Sequence, residues 1–139
     1  MLVTAESCTG GGIGAALTAI SGSSSVYKGG IISYTNWVKH NMLSVPQAYL
    51  DQFGAVSAPV AEAMAVGARE NLDADVAVSV TGLAGPGGDD FGNPVGTVFV
   101  GYADKHQILA REYHFSGDRD AVRKQATKAA LQFVLDMNK

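Results

Sequence analysis

Carboxylates are absent from a long early stretch of this chain: none lies between Glu6 and Asp51. Lys28 and Lys39 fall inside that stretch, so it is locally cationic although the whole chain carries a formal charge of -3. Such a setting suits an anionic substrate, for example a phosphomonoester. There is no global excess of basic residues, which speaks against nucleic acid as a partner. Cysteine is nearly missing too. Cys8 stands alone and excludes an intramolecular disulfide. No secretory leader opens the sequence, and a reducing cytoplasm is the expected setting. No apolar run approaches the roughly 18 residues of a membrane span, so no membrane contact is expected. Histidine occurs only as His40, His106 and His114. No His, Cys and Asp cluster has ligand spacing, so no metal is expected. Repeats, low-complexity segments and linkers are likewise absent, and 139 residues fit one domain.

What the chain does have is glycine, 17 residues of it, in clusters. Leu2-Val3-Thr4-Ala5 reads as a short buried strand. Ile13, Ala16, Leu17 and Ile20 recur at helical spacing and predict a helix over 11–20. A second strand is expected over 30–34, followed by a helix that Asn36 would cap and that carries Val38, Met42 and Leu43. Ser57 and Pro59 open another helix, with Val60, Ala63, Met64 and Gly67 on one stripe. The continuous apolar run 76–81 is a strand buried on both faces. Segments 95–102 and 108–115 predict a β-hairpin. Asp118 caps a last helix whose buried stripe is Val122, Ala126, Ala129 and Phe133. Alternating elements followed by a hairpin and a closing helix predict a single three-layer α/β/α domain with a mixed sheet.

Three readings compete for the turn Glu6-Ser7-Cys8-Thr9-Gly10-Gly11-Gly12. Ser7 and Thr9 as plain caps, with glycines for tight packing, is the simplest. Three successive glycines before a helix favour function, because each helical glycine costs up to about 1 kcal/mol relative to Ala. Gly10-Gly11-Gly12-Ile13-Gly14-Ala15 fits the dinucleotide fingerprint, but the required acid about 20 residues on is missing, so that reading fails. Backbone N–H groups at a helix start could instead meet a phosphate or an oxyanion, with Ser7 as nucleophile. Cys8 could also be the nucleophile, its thiol acidified by the helix start. It ranks below Ser7, since only His40 is near enough to serve as its base and a lone Cys is usually buried and inert.

Loops at the carboxyl ends of parallel strands converge on one crevice. If the first two strands are parallel neighbours, Tyr34 and Lys39 share that crevice with Ser7. A lysine can activate a serine hydroxyl without histidine, and burial lowers its pKa enough to accept a proton. By spacing alone, a solvated Lys39 and a half-buried Tyr34 remain the simpler reading. The glycine loop 82–88 would reach the same crevice with an anion nest. Arg119 and Arg123 could bind phosphate, or pair with Asp118 and Asp120.

Taken together, several motifs resemble the CinA C-terminal domain family along essentially the whole chain. They are Ala5-Glu6-Ser7-Cys8-Thr9-Gly10-Gly11, Tyr34-x-Asn36-x-x-Lys39, Gly54-Ala55-Val56-Ser57, Thr81-Gly82-x-Ala84-Gly85-Pro86, Pro94-Val95-Gly96-Thr97-Val98 and Phe115-Ser116-Gly117-Asp118-Arg119. Characterised members are nicotinamide mononucleotide deamidases. The resemblance implies hydrolysis of nicotinamide mononucleotide to nicotinate mononucleotide and ammonia, with no cofactor. It implies a serine, a lysine and a tyrosine acting as in class C β-lactamases, which fall on Ser7, Lys39 and Tyr34. Substrate contacts are expected from the backbone of Thr9, Gly10 and Gly11 at the oxyanion, and from Asn36 and Thr81. Gly82, Gly85, Gly87 and Arg123 are expected around the phosphate. The expected partners are a small nucleotide and further copies of the chain in a homo-oligomer. Residues 1–139 then form one amidohydrolase domain, in which the helix that usually precedes the family's first strand is missing. A non-catalytic nucleotide-binding or regulatory domain, and an amidase for another amide, are the alternatives.

Overall fold

The computed structural model describes residues 1–139. Strand β1 (Leu2–Glu6) lies between β2 (Tyr27–Ile32) and β3 (Val76–Gly82) and runs parallel to both. Strands β4 (Thr97–Ala103) and β5 (Ile108–His114) extend the sheet antiparallel, giving the order β2-β1-β3-β4-β5. Helices α1 (Gly12–Thr18) and α5 (Arg119–Met137) cover one face. Their Ile13, Val122, Ala126, Ala130 and Phe133 pack on Val78, Val80, Val98 and Val100. Helices α2 (Asn36–Leu43), α3 (Gln47–Phe53) and α4 (Ala58–Asn71) cover the other, where Leu43, Leu50, Val60 and Met64 meet Val3, Ala5 and Ala77. The expected three-layer α/β/α domain with a mixed sheet is the fold observed. Alternate residues of β3 are buried on opposite faces, Val78 and Val80 on one and Ala77 on the other, where Ser79 and Thr81 spend their hydroxyls on Ala61 O and Ala55 O.

Several boundaries differ from the sequence reading. Strand β2 starts at Tyr27 and stops at Ile32, not over 30–34, because its ladder is set by pairing Tyr27 with Leu2 and Ile32 with Glu6. Ser33 and Tyr34 therefore leave the sheet, and their carbonyls become available to side chains. The N-cap of α2 is Thr35, not Asn36: Thr35 is extended and its Oγ1 accepts from Val38 N at 3.4 Å, whereas Asn36 is already helical. Helix α3 was not foreseen; Leu50 is its single buried residue. In α5 the buried stripe runs through Ala130, while Ala129 is half-buried. Helix α1 is shorter than 11–20, ending at Thr18.

One close approach positions α2. A Cβ on Gly67 of α4 would lie 1.8 Å from the carbonyl oxygen of Leu43, so only glycine lets the end of α2 sit this close to α4. That contact holds the helix carrying Lys39 against the core.

Candidate active site

All three parallel strands end on the same side, and the segments leaving them line one cleft of about 610 Å³. Ser7 comes from the end of β1, Tyr34 from the segment after β2, and Gly82 to Phe91 from the loop after β3. Ser7 is fixed where β1 runs out: its N–H donates to Val80 O at 3.0 Å. Its side chain is buried and meets Lys39, whose Nζ lies 2.9 Å from Ser7 Oγ.

Lys39 is only 1% exposed, an extreme burial for an amine. Nζ also donates to Ser33 O at 2.7 Å and to Tyr34 O at 3.2 Å. These are the two carbonyls released by the early end of β2. No carboxylate pairs with it. Burial therefore pulls the Lys39 pKa from 10.5 to about 8. The contact set suits both protonation states. An ammonium donates to Ser7 and both carbonyls. A neutral amine keeps two N–H bonds to the carbonyls and turns its lone pair to the Ser7 hydroxyl.

Glu6, the nearest carboxylate in sequence, faces away. Its Oε1 accepts from Thr9 Oγ1 at 2.7 Å and Ile13 N at 2.8 Å, and its Oε2 from Gly14 N at 3.0 Å. Cys8 is buried beside Ser7. Burial raises its thiol to about 11, the opposite of the acidified thiol the helix start suggested. His40 makes no hydrogen bond to it; its Nδ1 is bonded to Val45 O at 2.8 Å.

Other expected residues are distributed unevenly. Tyr34 lines the cleft, but its side chain is 57% exposed and its hydroxyl accepts from Arg119 Nη2 at 3.3 Å, not from Ser7 or Lys39. Asn36, Gly82, Gly85 and Gly87 also line the cleft. Thr81 lines it as well, but its hydroxyl is committed to Ala55 O at 2.8 Å, which ties the segment before α4 to β3. Of the oxyanion candidates, Gly10 N is taken by Ser7 O at 3.0 Å. The N–H groups of Cys8, Thr9 and Gly11 donate to no protein acceptor, but only Cys8 lines the cleft; Thr9, Gly10 and Gly11, expected at the oxyanion, lie outside it because the turn carries them away from the ends of the strands.

Arg123 is not at the cleft. Its guanidinium lies beneath the Ser7 turn, with Nε donating to Cys8 O at 3.0 Å and Nη2 to Thr9 O at 3.4 Å. Arg119, one helical turn earlier, is the arginine of this helix that reaches the cleft. It lines the cleft, donates to Gly85 O at 2.8 Å, and pairs with no carboxylate. Phe91, Asp89 and Asp90 also line the cleft and were not foreseen. No group of three or more His, Cys, Asp or Glu side chains could hold a metal ion.

The profile of the CinA C-terminal domain matches residues 1–138. The chain belongs to the CinA C-terminal domain family. It is 49% identical over 132 residues to a nicotinamide-nucleotide amidohydrolase, PncC, of Enterobacter agglomerans, covering 94% of this chain and 80% of that protein. It is 51% identical over 133 residues to a CinA-like protein of Geobacter sp. strain M21. There it covers 96% of this chain but spans only 32% of the relative's length. Among solved structures, the competence/damage inducible protein of Agrobacterium tumefaciens superposes with a TM-score of 0.96 at 42% identity. That match covers 100% of this chain and 86% of the other. A CinA superfamily protein of Escherichia coli gives 0.95 at 41% identity, covering 98% of this chain and 79% of that one. No helix is long and apolar enough to cross a membrane.

Proposed function

We propose that this chain is an amidohydrolase that converts nicotinamide mononucleotide and water to nicotinate mononucleotide and ammonia. The observation that carries the reading is a buried lysine, free of any carboxylate, 2.9 Å from a serine hydroxyl in a cleft. Ser7 Oγ attacks the carboxamide carbon while its proton passes to Lys39 Nζ. The N–H group of Cys8, which lines the cleft and has no protein acceptor, receives the oxyanion. The C–N bond then breaks. The departing nitrogen takes up the proton held by Lys39, with Tyr34 as relay, and leaves as ammonia. Water attacks the resulting ester, Lys39 again takes the proton, and nicotinate mononucleotide departs with Ser7 restored. The setting we propose is pyridine nucleotide recycling in the cytoplasm.

Arg119 is the phosphate contact in this reading. A guanidinium that faces a cleft and bonds only neutral oxygens retains donors for an anion. Gly87 and Gly88 line the same cleft, and nothing lies within 4 Å of where a Cβ on either would stand. Binding energy from this remote group would be used in the chemical step. Ammonia release should therefore be rapid from nicotinamide mononucleotide, scarce from free nicotinamide, and lost in Ser7→Ala. Equal turnover of the two substrates would remove the phosphate anchor. An active Ser7→Ala would remove the mechanism, and a folded wild-type chain that releases no ammonia from any pyridine amide would favour a regulatory nucleotide-binding domain.

A further inference from the structure

Glu6 has no role in the reaction just described, yet its carboxylate is the most thoroughly buried in the molecule, with the residue only 2% exposed and no cation beside it. All its partners are donors from the turn and helix that follow Ser7. Gly11 stands at the N-cap of α1 and has no side chain to cap it. Glu6 reaches over from the preceding strand and supplies the acceptors, taking Ile13 N and Gly14 N, the second and third N–H groups of the helix. It also fixes Thr9 through the hydroxyl. Its backbone carbonyl accepts from Ser33 N at 2.7 Å, so Glu6 holds the residue whose own carbonyl receives Lys39 Nζ.

The donor count in the turn follows from this. Gly10 N and Gly12 N close the turn on Ser7 O and Thr9 O, and Ile13 N and Gly14 N go to Glu6. Cys8 N, Thr9 N and Gly11 N are left without an acceptor, and of these three residues only Cys8 lines the cleft. Resting on the amidohydrolase reading, we infer that Glu6 is a positioning residue for the oxyanion. Its carboxylate holds the turn over residues 7–14 in a shape that leaves the Cys8 N–H, next to Ser7 and on the cleft, for the oxygen of the tetrahedral intermediate. Glu6 touches neither substrate nor Lys39, so it acts through the turn alone.

An interaction that matters chiefly in the transition state lowers kcat and leaves KM in place. Glu6→Gln keeps the size of the side chain but presents an NH₂ group where an acceptor is needed. It is expected to cut kcat for nicotinamide mononucleotide roughly ten- to hundredfold, since a slightly misplaced oxyanion donor costs nearly as much as a missing one. KM should stay within about twofold. The acid limb of the kcat/KM profile, set by Lys39, should not move. Thr9→Val removes only the hydroxyl tie and should lower kcat several-fold with the same pattern. Wild-type turnover that Ser7→Ala abolishes establishes the reading beneath the inference; its failure overturns both. With that turnover in hand, full kcat in a folded Glu6→Gln overturns the positioning role alone. So does a displaced acid limb, which would make Glu6 the base. If Glu6→Gln does not fold, Thr9→Val decides, and an unchanged kcat there refutes the inference.

Discussion

Lys39→Arg keeps the positive charge and the donors at this position but takes away the ability to accept a proton. The size of the effect follows from burial. With its pKa pulled to about 8, roughly one Lys39 in ten is neutral at pH 7; at its ordinary 10.5 it would be roughly one in three thousand. Burial thus raises the supply of free base about 300-fold. A guanidinium does not deprotonate in this range, so Lys39→Arg should lose at least about a hundredfold in kcat/KM. In the wild type, kcat/KM should rise about tenfold per pH unit up to about pH 8 and then level. The assay is initial-rate ammonia release from nicotinamide mononucleotide between pH 6 and pH 9, with folding checked by circular dichroism. An active Lys39→Arg enzyme, or a rate that is flat across that range, would refute the assignment of Lys39 as base.

The same shift appears in stability. The folded pKa lies below the unfolded one, so between about pH 8 and 10.5 the unfolded chain binds more protons. The cost of burying the amine is fully present below pH 8 and is relieved as the pH rises through that window, by about 3 kcal/mol. Lys39→Met has nothing to titrate there. The difference in unfolding free energy between wild type and Lys39→Met should therefore change by about that amount across the window, in favour of the wild type at high pH. A constant difference would mean that Lys39 titrates normally in the fold.

Arg119→Ala should raise KM for nicotinamide mononucleotide by about ten- to a hundredfold, the loss of a charge-assisted contact, and leave free nicotinamide unaffected. Tyr34→Phe should lower kcat by about tenfold, less than Lys39→Arg, because water in the exposed mouth of the cleft can replace the relay. Cys8→Ala should retain much of its activity, since the Cys8 thiol is buried and protonated up to about pH 11; inactivation with the fold intact would return the nucleophile to Cys8.

The parts of this fold that can be read in the sequence are those whose own residues decide them. The 76–81 run, the hairpin and α5 carry enough apolar periodicity to specify themselves, and Asp118 caps α5 as expected, accepting from Ala121 N at 2.9 Å. Strand β2 is different. Tyr27-Lys28-Gly29-Gly30 has little strand propensity, and only the ladder with β1 makes it a strand. Helix α3 has a single buried residue and so lacks a periodic signal. The site divides along the same line. Ser7, Tyr34 and Lys39 could be named as candidates, but their spacing left a solvated Lys39 as the simpler reading. What lowers the Lys39 pKa is its depth, and depth comes from the Gly67 approach to Leu43 and from the early end of β2. Arg119 and Arg123 are four residues apart on one helix, so periodicity puts them on the same side and cannot choose between them. The choice is made by how α5 crosses the sheet. That crossing sets Arg119 at the mouth of the cleft, and Arg123 under the Ser7 turn, where its donors are spent on Cys8 O and Thr9 O. Those two bonds hold the carbonyls of the peptide groups that carry Thr9 N and Gly10 N. Arg123 therefore braces from below the same turn that Glu6 braces from the strand.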